Sequence, residues 1–183
     1  MLLLHGYGDS NLSYLDLARE WSKLGFLAVA VPGSVPASNG RFLWSMESTE
    51  QTPHDWQAIV KSPLLDGVAN CEKVFLLGFS QGALHAMLLT AENPNAYAGV
   101  VGLSPGGSLA KQFVAPQLNR SGRTARCVFI HGEQESHVPF VRIWSKACKD
   151  AGWKFDSMTH PGAHHFPEDW DTIRPGIAAF LIK

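Results

Sequence analysis

Six short apolar runs, each stopping at glycine or proline ahead of a segment with helical spacing, set the narrowest limit on what this chain can fold into. They cover residues 1–4, 26–31, 73–77, 97–103, 125–130 and, more polar, 153–159. Most of them lack the alternation of a strand with one wet face. Continuous apolar strands suit a parallel sheet with helices on both faces, where side chains on either side of each strand are buried. The intervening spacing predicts helices over 13–24, 55–68, 81–91, 138–151 and 170–182. Asn93-Pro94 ends the third of these, because proline cannot continue a helix and restrains the residue before it. The fold class is therefore α/β, and 183 residues suit one domain spanning 1–183.

Two Gly-, Pro- and Ser-rich stretches, 32–53 and 104–122, resist assignment, and loops of that length are often functional. Phe42 and Trp44, in the first, either cover a pocket or pack against its rim.

The third run leads into Gly78-Phe79-Ser80-Gln81-Gly82 and then a helix-forming segment. Strand, G-x-S-x-G turn and helix, in that order, present a serine hydroxyl on a turn so tight that only glycine fits two residues either side. A helix starting directly after Ser80 aims its N–H groups and positive dipole end at negative charge developing there. The Gln81 amide is one candidate oxyanion donor. The first run ends in Leu4-His5-Gly6-Tyr7-Gly8-Asp9-Ser10, whose glycines let the backbone approach a substrate, and the Tyr7 amide is the second.

A serine hydroxyl needs a histidine to take its proton and a carboxylate to orient that histidine. After Ser80, the segment 129–139 supplies Glu133 and Glu135 beyond a strand, and 160–167 supplies His160, His164 and His165 beyond the next. His54 and His85 look helical, and His5 and His131 sit in HG turns at strand ends; all four read as structural. No HExxH motif or carboxylate cluster accompanies His164-His165, so the pattern argues against zinc.

Fifteen Lys and Arg against sixteen Asp and Glu give a net charge of -1, which supplies no field to attract nucleic acid or an anionic membrane. A small-molecule substrate fits better. Cys71, Cys127 and Cys148 are odd in number and widely spaced, so they read as buried thiols in a reducing, cytoplasmic setting. Met1-Leu2-Leu3-Leu4 lacks the basic segment of a leader, and no apolar run approaches the ~20 residues that cross a bilayer.

Across nearly its whole length the chain resembles the carboxylesterase/phospholipase family of α/β-hydrolases, which includes acyl-protein thioesterases. The resemblance rests on LHGYGDS at 4–10, Pro36 with Asn39-Gly40 and Trp44, GFSQGA at 78–83, LSP at 103–105, HGEQExxVP at 131–139 and the Gly-His segment at 162–165. It implies a three-layer sandwich on a mostly parallel sheet of about six strands, and a cofactor-free, metal-free ester hydrolysis through an acyl-enzyme. Carried over by position, Ser80 is the nucleophile, Tyr7 and Gln81 supply the oxyanion amides, and the Gly-x-x-His spacing selects His165 as the base. Glu135 stands where the family has aspartate. Trp44 and Phe79, with Phe42 and Leu43, are candidates to line the acyl site.

Relatives carry an antiparallel hairpin ahead of the LHG strand. Its absence here predicts an uncovered sheet edge and a homodimer through it. Thioesters and lysophospholipids present the same carbonyl to the same groups, and a catalytically silent ligand-binding member or a peptidase of this fold is a rival reading.

Overall fold

The computed structural model describes residues 1–45, 59, 61–65, 67–69, 71–92, 95–106, 125–135 and 138–183. All six apolar runs become strands of one sheet: β1 (Leu2–Leu4), β2 (Val29–Val31), β5 (Phe75–Phe79), β6 (Gly99–Leu103), β7 (Arg126–Gly132) and β8 (Lys154–His160). Their order is β2-β1-β5-β6-β7-β8, and every pairing is parallel. Between β2 and β5 lie two strands not foreseen from the sequence, β3 (Val35–Pro36) and β4 (Phe42–Leu43), which pair antiparallel within the first glycine-rich stretch. The helices are α1 (Leu15–Ser22), α2 (Gln81–Glu92), α3 (Val138–Asp150) and α4 (Trp170–Ile182). Of the helix expected at 55–68, residues 55–58, 60 and 66 lie outside the described residues, and the described part holds a 3-10 turn at Pro63–Leu65 and other turns rather than one continuous helix. The Asn93-Pro94 stop and much of the stretch 104–122 also lie outside the described residues.

The absence of polar alternation in the inner strands has a direct structural cause, for both faces of the sheet are dry along β1, β5, β6 and β7. Leu2, Leu4 and Leu76 enter one core with Leu84 and Met87 of α2 and Trp144 of α3. Leu3, Phe75 and Leu77 enter the other with Trp21 of α1 and Ile177 and Leu181 of α4. Side chains of neighbouring strand residues thus go to opposite cores, as a period of two requires. Each fully buried Leu contributes about 1.5–3 kcal/mol, so both layers hold the sheet.

The chain leaves β1 for β2 on one side and returns to β5 on the other. That reversal opens a crevice at the carboxyl ends of β1 and β5, where ligands of such sheets bind. β1 is an interior strand, flanked by β2 and β5, and the edge belongs to β2, whose three residues make a short ladder. Cys127 and Cys148 are buried, but Cys71 is only partly so. No helix among the described residues is long and apolar enough to cross a membrane.

Candidate active site

Ser80 follows β5 directly and opens α2 with φ at +55°, in the left-handed region that L side chains rarely adopt. Two glycines make the turn possible. A Cβ on Gly78 would stand 2.3 Å from the Gly82 carbonyl oxygen, and one on Gly82 would stand 2.3 Å from that of His5. The strained serine is held by its own backbone: its N–H donates to Leu103 O at 2.9 Å, and its carbonyl accepts from Leu84 N and from Gly106 N at 3.2 Å each.

His164 lies in the turn after β8, and its Nε2 is 2.8 Å from Ser80 Oγ. Its Nδ1 is 3.1 Å from Glu135 Oε2, in the loop after β7. Since Nδ1 faces a carboxylate, it carries the ring proton; Nε2 then accepts from the serine hydroxyl. A serine, an imidazole and a carboxylate so linked form the arrangement that turns a hydroxyl into a nucleophile.

The other carboxylate oxygen of Glu135 accepts from Ser104 Oγ at 2.6 Å and Gly132 N at 2.8 Å. Burial alone pushes the Glu135 carboxyl up, but the bonds from Ser104, Gly132 and His164 together hold it below its ordinary value. The glutamate is therefore ionised at neutral pH and reaches the imidazole despite its extra methylene. Ser104 itself has φ at +47° and is buried, with its N–H on Ile130 O at 2.7 Å.

The expectation of His165 as the base is not met. Its ring folds back over Gly162, where a Cβ would stand 2.5 Å from His165 Nε2, and it packs on His160 at 5.0 Å. Its Nδ1 faces Phe166 O at 2.6 Å. Gly162, at φ of +110°, turns the chain so that the histidine two residues on, rather than three, faces Ser80. Adjacent side chains in this turn point apart, and spacing from a glycine does not encode which of the two faces the crevice. Glu133, the other acid considered, has its N–H on His160 O and takes no part in the serine's network among the described contacts.

Trp44 also departs from expectation. It is 1% exposed, so it cannot line an open acyl site. Its indole Nε1 donates to His5 O at 2.8 Å, and its backbone N–H and carbonyl meet the Gln81 side chain at 3.1 and 3.3 Å. Trp44 and the Gln81 side chain thus tie the loop after β4 to the start of α2. Phe42 and Leu43 are half-buried in β4. Phe79 is half-buried, with its ring 5.1 Å from that of His164 and 5.1 Å from Phe166.

After β1 the chain turns at Gly6-Tyr7-Gly8-Asp9, closed by Asp9 N on Gly6 O at 3.3 Å, with Gly8 at φ of +66°. Tyr7 is 70% exposed. Gly6 packs against the serine turn: a Cβ there would lie 3.2 Å from Phe79 Cδ1 and 3.6 Å from Ser80 Cβ. His85, on the inner face of α2, is buried against Trp44, and burial drives its pKa down to about 4 against a smaller opposing contact with Ser45. No group of three or more metal-ligating side chains occurs among the described residues.

Residues 1–161 match the family described as serine aminopeptidase, S33. The chain belongs to this α/β-hydrolase family. The hydrolase is 23% identical to acyl-protein thioesterase 1 of Gibberella zeae, over 100% of this chain and 89% of that protein. A carboxylesterase from Mesorhizobium loti superposes with a TM-score of 0.74 at 20% identity, covering 97% of this chain and 87% of that one. An uncharacterized Bacillus cereus protein superposes at 0.78 with 13% identity, over 100% of this chain and 59% of its own, so the hydrolase spans about three fifths of that neighbour. At these identities the superpositions show a shared fold.

Proposed function

We propose that this hydrolase is a serine carboxylesterase that cleaves small to medium acyl esters through an acyl-enzyme. The observation that carries the proposal is the hydrogen-bonded chain from Ser80 Oγ through His164 to Glu135. His164 Nε2 takes the Ser80 proton as Oγ attacks the ester carbonyl, and Glu135 stabilises the imidazolium that forms. The Tyr7 and Gln81 amides hold the oxyanion. His164 then protonates the leaving alcohol, and water repeats the sequence to release the acid. The residues supply every proton transfer and the charge stabilisation themselves, so the reading calls for no cofactor.

The acyl chain is placed against Phe79 and Phe166 rather than Trp44. Phe166 also walls an apolar groove of about 310 Å³ with Tyr14, Leu17 and Trp170, next to the crevice. A thioesterase reading is favoured by the Gibberella zeae relative and uses the same residues. A panel of p-nitrophenyl esters and acyl thioesters of increasing chain length tests both. The proposal expects ester turnover that peaks at short or medium chains. Faster turnover of thioesters throughout the panel would give precedence to the second reading, and no turnover of either would overturn both.

A further inference from the structure

His5 sits at a strand end, where the sequence alone suggests a structural histidine, yet its ring holds one particular peptide of the candidate site. Its Nε2 lies 3.0 Å from Gly33 N, and its Nδ1 lies 2.8 Å from Gly6 O. A backbone N–H can only donate and a carbonyl can only accept, so these two partners admit one tautomer. Nε2 is bare and Nδ1 carries the proton. The ring is fully buried, with its pKa lowered by burial against smaller opposing effects of Gly6 and Asp9, and is therefore neutral as the two bonds require.

The accepting carbonyl belongs to the Gly6–Tyr7 peptide, which is planar and trans. In such a unit the C=O and the N–H point in opposite directions. Fixing Gly6 O with His5 Nδ1–H on one side and Asp9 N–H on the other therefore fixes the heading of the Tyr7 N–H. The His5 carbonyl is itself held by Trp44 Nε1, and the gap beside it admits only Gly82. His5 thus bonds its own turn at Gly6, the loop at Gly33 and Trp44, and its carbonyl lies against Gly82 of the serine turn.

We propose that His5 is a positioning residue for catalysis: its Nδ1–H locks the Gly6–Tyr7 peptide so that the Tyr7 amide is preorganised as an oxyanion donor. The inference rests on the serine-esterase reading. Loss of an oxyanion donor costs about 100- to 1,000-fold in rate, and a donor left in place but free to swing costs part of that. Ground-state binding does not use this donor, so the loss appears in kcat.

The test compares His5→Gln, whose amide oxygen can still accept from Gly33 but offers nothing in place of Nδ1, with His5→Asn, whose amide nitrogen can replace the Nδ1 donor. His5→Gln is expected to lower kcat for a p-nitrophenyl ester by about 30-fold or more with KM within about twofold. It should weaken an alkyl trifluoromethyl ketone, which forms an oxyanion on Ser80, by the same factor. His5→Asn is expected to recover most of both losses. Equal kcat in wild type and both variants, or equal losses in both with KM rising in step, overturns the inference while leaving the esterase reading intact. A wild type that hydrolyses no ester fails the esterase reading and this one together. Should neither variant fold, nitrogen NMR of the wild-type imidazole decides: a proton on Nδ1 alone supports the lock, and a proton on Nε2 contradicts it.

Discussion

The bond from Ser104 Oγ to Glu135 ties the ionisation of a buried carboxylate to one neighbouring hydroxyl. A hydrogen bond to a charged group contributes about 1.5–3 kcal/mol, and removing it favours the neutral acid. Ser104→Ala is expected to lower kcat by about tenfold in ester assays and to raise the Glu135 pKa. Because that pKa is depressed in the fold, Glu135 stabilises the protein above the ordinary carboxylate range, and this is lost as pH falls through the folded value. Thermal melts from pH 7 to 3 should therefore show the variant losing stability at higher pH than wild type. Coincident profiles would deny Ser104 its role. Ser80 was legible because strand, glycine, serine, glycine and helix are a local pattern. Ser104 was not, because its partner is 31 residues away and nothing near it in the chain marks the contact.

The serine turn is an element whose backbone is nearly touching itself. Gly82→Ala would put a methyl 2.3 Å from His5 O and 2.5 Å from Leu4 O, both backbone atoms that cannot move without shifting β1. The expected cost is about 3 kcal/mol, a drop of about 6–12 °C in Tm for a protein of this size, read by calorimetry. An unchanged melt would mean that the turn is looser than described. The inner strands of the sheet were legible because both cores demand apolar residues at successive positions, while β8 at the edge, with Lys154, Asp156 and Ser157 exposed, carries a weaker signal. The β3–β4 pair was not legible, since two residues per strand are too few to show a period. The choice between His164 and His165 is not legible in the sequence for a related reason. It depends on the path of the turn at Gly162, where φ is +110°, and both residues are histidine, so composition carries no preference.

At the scale of the molecule, the three layers bury the imidazole of His85 in the inner face of α2. Its pKa is lowered from 6.5 to about 4, so the unfolded chain binds a proton that the folded protein refuses between those values. Stability contributed by the neutral ring is complete above pH 6.5 and declines as pH falls toward 4. Between pH 7 and 5 this amounts to about 2 kcal/mol, and His85→Met should remove most of that slope from denaturant midpoints. A slope that survives the substitution would assign the acid sensitivity elsewhere. The same layers bring the ends of β5, β7 and β8 together and so deliver Ser80, Glu135 and His164, from three separated segments, to one crevice. The most direct test of that convergence is the rate at which a fluorophosphonate labels Ser80, followed by peptide mass spectrometry in wild type, Ser80→Ala, His164→Ala and His165→Ala. The structure predicts no label in the first variant, labelling slowed by about 10⁴-fold in the second and within about tenfold of wild type in the third. Slow labelling of His165→Ala with fast labelling of His164→Ala would contradict it.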